Sequence, residues 1–316
     1  MSATRRVAAI DIGTVTTRLL VADVAGREVT EVARSTDITH LGEDLTRTGR
    51  LSEAAMDRVE AVIAGYAVRM RELGVEEWRA VATSASRDAA NAALFAERLS
   101  AYGVTPEVIS GDAEARLAFA GATHEISGEG LLVSDIGGGS TELVYGRRNA
   151  HGEPPVAEVE TAQSIDVGAR RVTERFLASD PPAESELRSA SAWVRREVDV
   201  FFDALPTRPR LSIALAGTAT TLSAIHQRLV TYDPNRVHGS VVRVEDMRNI
   251  LERLVSLPLA RRAAEVEGLD PGRAPVIIGG VLVLLAVLER ACLDSTAVSE
   301  HDILYGIVLE KRGSAA

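Results

Sequence analysis

One cysteine and one lysine stand in a chain of 316 residues. A lone Cys292 excludes an internal disulfide and a cysteine-built zinc site, and no arginine follows it at the short spacing of a cysteine phosphatase. It is expected to be ordinary packing, as free cysteine usually is. Lys311 as the sole lysine removes a Walker A lysine, a Schiff-base lysine and a Ser-Lys nucleophile together. Positive charge is therefore nearly all arginine, whose planar fork suits phosphate. Long apolar runs are also missing. The longest, Val276 to Leu288, is interrupted by Gly279 and Gly280, which is too short for a bilayer span and reads as a buried helix. Met1 to Arg6 lacks the apolar core and cleavage site of a secretory signal, so a cytoplasmic protein without membrane association is expected. The formal net charge of −10 argues against nucleic acid as a partner, and any polyanion must find a local basic patch.

What is present is an ordinary packed composition, 46% hydrophobic and 25% charged, in a chain long enough for two lobes. Val7 to Ile10 runs into Asp11-Ile12-Gly13, and Leu19 to Val24 resumes the strand pattern. Leu131 to Val133 runs into Asp135-Ile136-Gly137-Gly138-Gly139-Ser140-Thr141, and Leu143 to Tyr145 resumes likewise. Laid on each other, Asp11 falls on Asp135, Gly13 on Gly137, Thr16 on Ser140, Thr17 on Thr141 and Arg18 on Glu142, which marks a duplicated half-chain. The first half reads as hairpin, helix (Leu51 to Gly74, with Ser52 as N-cap), strand (Ala80 to Ala82), helix (Asp88 to Ser100), strand (Glu107 to Ile109) and helix (Ala113 to Ala122). In the second half, helices near Gly168 to Leu177 and Glu184 to Ala204 precede a strand, Leu211 to Leu215, and a helix opened by Ala216-Gly217-Thr218. Gly128-Glu129-Gly130 is taken as the boundary, giving domains 1–127 and 128–298, with a last strand and helix near 299–312 completing the first.

Two strand-turn-strand units, each with an aspartate before a glycine- or hydroxyl-rich bend, aim backbone N–H groups at one point between two lobes, as anion nests do. Glycine lets the backbone approach phosphate oxygens closely, and Thr14, Thr16, Ser140 and Thr141 add hydroxyl donors. Three consecutive glycines are entropically expensive for a mere hairpin turn. Arg87, near a strand end and helix start, places a cation where phosphate is favoured, while Glu114 sits in the first turn of a helix. By themselves Arg87-Asp88 also suit a surface cation and an N-cap, and Glu114 suits helix-dipole complementarity. The six histidines show no metal-ligand spacing and are expected to pack or cap. Covalent aspartyl-phosphate chemistry is not expected, because Gly13 stands where its second aspartate would be.

The ordered set Asp11-Ile12-Gly13-Thr14, Ala82-Thr83-Ser84-Ala85 with Arg87-Asp88, Ser110-Gly111 with Glu114-Ala115, Asp135 to Glu142, and Ala216-Gly217-Thr218 resembles the Ppx/GppA phosphatases, over almost the whole chain. The resemblance implies an α/β, two-lobed actin-like ATPase (ribonuclease H-like) fold, with duplicated hairpin-containing domains and a central cleft. It implies an exopolyphosphatase acting on polyphosphate or, alternatively, a hydrolase of guanosine pentaphosphate (pppGpp). Carried over by position, Glu114 and Glu142 are the catalytic carboxylates, with Glu114 as base, and Arg87 clamps phosphate. The phosphate loops fall on Gly13-Thr14, Gly137-Gly138-Gly139-Ser140-Thr141 and Gly217-Thr218. Magnesium is implied, near Asp135, Glu142 and Asp11. Val15 replaces the usual asparagine, Pro275 an acidic residue, and Tyr305 a polar or acidic one, which motivates a sensor of polyphosphate or alarmone as the reading from another class. A sugar or acetate kinase on the same fold is disfavoured by the chain's shortness. The family's habit and the apolar helix near Leu282 suggest a homodimer.

Overall fold

A computed structural model describes residues 4–25, 28–149 and 156–313. It divides into two units: one takes the chain up to Gly121 and again from Ile303, the other runs Ala122–Asp302. Among the described residues no helix is long and apolar enough to cross a membrane. His151 lies outside the described residues.

The first unit is built from β1 (Arg5–Ile12), β2 (Thr16–Ala25), β3 (Glu28–Ile38), α1 (Leu45–Thr48), α2 (Glu53–Glu72), β4 (Glu77–Ala82), α3 (Ser84–Asp88), α4 (Ala92–Ser100), β5 (Glu107–Val108) and α5 (Gly111–Ala122). The second contains β6 (Gly128–Ile136), β7 (Thr141–Asn149), β8 (Val156–Ile165), α6 (Ala169–Phe176), α7 (Glu184–Asp203), β9 (Leu211–Leu215), α8 (Ala216–His226), α9 (Pro234–Val237), β10 (Val241–Arg243), α10 (Val244–Val255), α11 (Leu259–Glu265), α12 (Ile277–Ala291) and β11 (Ser295–Val298). The closing helix α13 (Ile303–Gly313) returns to the first unit.

The sheets have orders β3-β2-β1-β4-β5 and β10-β11-β9-β6-β7-β8. Set β6, β7, β8, β9 and β11 on β1, β2, β3, β4 and β5, and the second sheet repeats the first, with β10 added at its edge. In both, a three-strand antiparallel meander feeds parallel strands. Even the bulges match, between Val21 and Ala22 in β2 and between Tyr145 and Gly146 in β7. The duplication expected from the two Asp-x-Gly segments is thus a duplication of whole topology.

Strand β1 is apolar on both faces because helices cover both. Ala8, Ile10 and Ile12 enter a core with α2 and α4, whereas Val7 and Ala9 enter another with α5 and α13. In the second unit α12 is buried from Ile277 through Leu288 within the core shared with α7, α8 and α10. Its apolar residues pack inside its own unit.

Several expectations need correction. Gly128-Glu129-Gly130, taken as the boundary, opens β6, with Gly130 at φ +68° and a register shift before Leu131. Contacts change hands earlier, at the end of α5. Among the described residues no strand follows Ser299 to complete the first unit: β11 belongs to the second sheet, and α13 crosses back. The single helix expected over Asp88 to Ser100 is two, because the backbone turns extended at Ala89. Asn91, in the gap, takes a hydrogen bond from Leu51 N at 2.9 Å and gives one to Leu51 O at 3.0 Å. Asn91→Ala would strand both groups in a buried setting, and a loss of about 2–4 kcal/mol in unfolding free energy is expected from denaturant titration. Cys292 is exposed rather than packed, since α12 ends on it in the left-handed conformation, φ 57°.

Candidate active site

Every site residue expected in the first unit lies at the carboxyl ends of its parallel strands, where open α/β sheets place ligands. After β1 the turn closes by Gly13 N–H donating to Thr16 O at 2.9 Å; after β6 it closes by Gly137 N–H donating to Ser140 O at 3.0 Å. A Cβ on either glycine would sit 3.2 Å from that same carbonyl. The two turns are one design used twice.

The next segment of chain docks on each turn through its carbonyls. Thr14 O accepts from Gly42 N, and Val15 O from Thr39 N and His40 N. Gly137 O accepts from Ala169 N, Gly138 O from Arg170 N and Arg171 N, and Gly139 O from the Arg171 guanidinium Nε at 2.8 Å. The amides of Thr14 and Val15, and of Gly138, Gly139 and Ser140, donate to no backbone carbonyl among the described residues. Successive turn amides that no backbone carbonyl takes up are the arrangement of an anion cradle. The fit is close: a Cβ on Gly42 would meet Thr14 Cγ2 at 2.3 Å, and one on Gly168 would meet Gly138 O at 2.4 Å and Gly139 C at 2.6 Å.

Behind the turns the duplication diverges in charge. Arg18 faces Asp11 across the β1–β2 ladder, and its Nε and Nη2 donate to Asp11 Oδ2 at 3.0 and 2.5 Å. At the equivalent place Glu142 faces Asp135, with Asp135 7% and Glu142 1% exposed, and Ser164 Oγ donates to Glu142 Oε1 at 2.7 Å. Like charges directly opposite on an antiparallel pair are unfavourable. In the first unit a guanidinium lies on the aspartate, and in the second two carboxylates stand at the same ladder position, hard-oxygen donors of the kind that Mg²⁺ or a similar cation takes. Asp135 and Glu142 on one ladder and Asp11 at the equivalent place on the other are the three carboxylates expected near metal, and Arg18 reaches Asp11 through Oδ2 alone.

Arg87 and Glu114 come together as expected, though Arg87 sits in the last turn of α3 rather than at a helix start. Its Nη1 donates to Glu114 Oε2 at 2.6 Å and to Ile109 O at 3.1 Å, with the arginine side chain 21% and the glutamate 10% exposed. Thr141 drops out as a phosphate donor: its hydroxyl donates to Val167 O, as Thr17 Oγ1 pairs with Thr39 Oγ1 at 3.1 Å in the first unit. Ser140 remains in the second cradle.

Ala216-Gly217-Thr218 opens α8 directly after β9, with Ala216 at φ 60°, so the helix's first amides lie at a strand end. Here the structure adds Arg273, which the sequence argument passed over: its guanidinium carbon lies 2.1 Å from where a Gly217 Cβ would stand. Thr218 is held equally closely, 2.3 Å from its Oγ1 to a Cβ built on Gly280. Arg171, Gly42, Gly168 and Gly280 were likewise not singled out as site residues, because a glycine that clears space for a distant segment has no local pattern. Of the departures, Val15 is buried at 3% exposure, Pro275 is exposed just before α12, and Tyr305 is buried at 5% with the Arg34 guanidinium 5.6 Å from its ring centroid.

The chain is similar to known proteins over nearly its full length. Residues 20–311 match the model of the Ppx/GppA phosphatase family. Exopolyphosphatase 2 of Mycobacterium tuberculosis is 40% identical, with 98% of this chain and 99% of that protein aligned. Among solved structures, an exopolyphosphatase-like protein superposes with TM-score 0.89 at 35% identity, covering 98% of both chains. The Aquifex aeolicus Ppx/GppA family member superposes with TM-score 0.82 at 30% identity, covering 99% of this chain and all of that one. With its duplicated sheets, its paired glycine turns and a family match over nearly its full length, the chain belongs to the Ppx/GppA phosphatase family.

Proposed function

We propose that the protein is a cytoplasmic, magnesium-dependent exopolyphosphatase that releases terminal orthophosphate from short inorganic polyphosphate chains. The observation that carries this is the pair of glycine turns that take hydrogen bonds on their carbonyls from a later segment of the chain, while successive amides of each turn donate to no backbone carbonyl among the described residues. In a chain of net charge −10, such cradles, with Arg87, Arg171 and Arg273, supply the local positive potential that a polyanion needs. The likeness to Exopolyphosphatase 2 supports the same substrate class.

Hydrolysis of a phosphoanhydride asks mainly for positioning and for neutralisation of the equatorial oxygens. The amides of Gly138, Gly139 and Ser140, the α8 N-terminus with Thr218, and the Gly13-Thr14 turn bind phosphate oxygens. Arg87 turns its guanidinium from Glu114 Oε2 to a substrate phosphate. Glu114 then takes the proton from a water whose oxygen attacks the terminal phosphorus, while the bridging P–O bond breaks and the chain leaves one phosphate shorter. Asp135 and Glu142 would hold a divalent cation, which supplies charge neutralisation when bound.

The test is orthophosphate release, with and without Mg²⁺, from polyphosphates of defined length and from pppGpp. Magnesium-dependent release from short polyphosphate is expected. Faster release from pppGpp would move the substrate to the guanosine nucleotide, and binding without release from any of them would replace the hydrolase by a sensor.

A further inference from the structure

Two histidines expected to be packing meet outside the phosphate loops. His238, the C-cap of α9, and His301, just after β11, lie with ring centroids 4.2 Å apart and planes inclined by 35°. His238 Nε2 is 3.8 Å from Glu125 Oε2, and each of the three side chains offers a ligand atom, all within 4.8 Å of one another. All three belong to the Ala122–Asp302 unit.

We propose that Glu125, His238 and His301 form a binding site for a transition-metal dication of the Zn²⁺ class. Two imidazoles and one carboxylate are a donor set that zinc accepts, with a fourth position left for water, and that Mg²⁺ does not favour. Tetrahedral zinc with bonds near 2.0–2.1 Å places its ligands roughly 3.4 Å apart, so these donors need only small side-chain rotations to close on an ion. The backbone under them is held. Gly239 N–H donates to Val298 O and Val298 N–H to Ser240 O, each at 2.8 Å, which locks the segment bearing His238 beside the strand leading to His301. Access is open, since the side chains of His238 and Glu125 are 34% and 65% exposed.

One contact opposes the ion. Glu300 N–H donates to His238 Nδ1 at 3.1 Å, which leaves the neutral ring's proton on Nε2. Binding through Nδ1 displaces that amide; binding through Nε2 sends the proton to Nδ1 and turns the amide away. The metal therefore exchanges one hydrogen bond for coordination. Its place gives it a consequence. Glu125 follows the first chain crossing between units, Gly121 to Ala122, and His301 precedes the second, Asp302 to Ile303. An ion shared by them ties both connecting segments to His238.

The experiment uses the full chain, stripped with a chelator and titrated with Zn²⁺ against a chromophoric competitor in excess Mg²⁺, and with Co²⁺ read by its visible absorption. One equivalent is expected, with the intense Co²⁺ bands of a four- or five-coordinate site. His301→Ala and Glu125→Gln should each weaken it at least tenfold, and Glu142→Gln should leave it intact. Zinc should also slow hydrogen exchange in the segments around Glu125 and His301. An equivalent unaffected by His301→Ala and Glu125→Gln, or one abolished by Glu142→Gln, would overturn the assignment, the latter by placing the ion at the phosphate loops.

Discussion

Glu114→Gln is expected to lower turnover on polyphosphate by about 10² to 10⁴, the usual worth of a general base, while KM changes little. The substitution isolates the proton transfer. In the structure Glu114 Oε2 accepts from Arg87 Nη1, and a glutamine carbonyl at that place still accepts, so Arg87 keeps its position and its reach to Ile109 O. What disappears is the group able to take a proton from water. Steady-state kinetics in saturating Mg²⁺ read the split between kcat and KM. Weakened binding with unchanged turnover of bound substrate would refute the base assignment and leave Glu114 as a strut for Arg87.

Gly168→Ala should be nearly as damaging, although this residue would touch no substrate. Its Cβ would press on the Gly138 carbonyl and on Gly139 C, backbone atoms on which the second cradle is built. Either α6 moves, with its bonds from Ala169 and Arg170 to the turn, or the turn moves. A displacement near 1 Å at a positioning element can cost on the order of 10² in rate. Overpacking of this kind should also remove about 1–3 kcal/mol of stability. Gly65→Ala is the matched control: it lies inside α2 with nothing within 4 Å of its Cβ, and should stabilise by roughly 0.5–1 kcal/mol without changing activity. Equal loss of activity in both variants would show that the effect at Gly168 is not steric.

Much of this was legible before any coordinates. The strands β1, β2, β6, β7 and β9 are short apolar runs punctuated by Asp-x-Gly or Ala-Gly-Thr, and such signals are local. Strands β3 and β8 were not, and for one reason. Glu28–Ile38 has no fully buried residue, and Val156–Ile165 mixes Glu158, Glu160, Gln163 and Ser164 with its apolar residues, so neither is an uninterrupted apolar run. They are outer strands of their meanders, ordered by the backbone pairing that β2 and β7 offer. Asn91 shows the same limit: its amide breaks a helical pattern by satisfying Leu51, a partner far away in the chain.

The site divides along the same line. The amino-acid sequence alone determined the duplication, the glycine turns, the Arg87 and Glu114 candidates and the family resemblance, because each is written in residues near one another or repeated in register. Tertiary structure alone decided that Arg18 neutralises Asp11 while Glu142 confronts Asp135, that Arg273 rests on Gly217, and that Glu125, His238 and His301 meet. Charge balance and close approach depend on which side chains the folded strands bring together, and spacing along the chain carries no record of that.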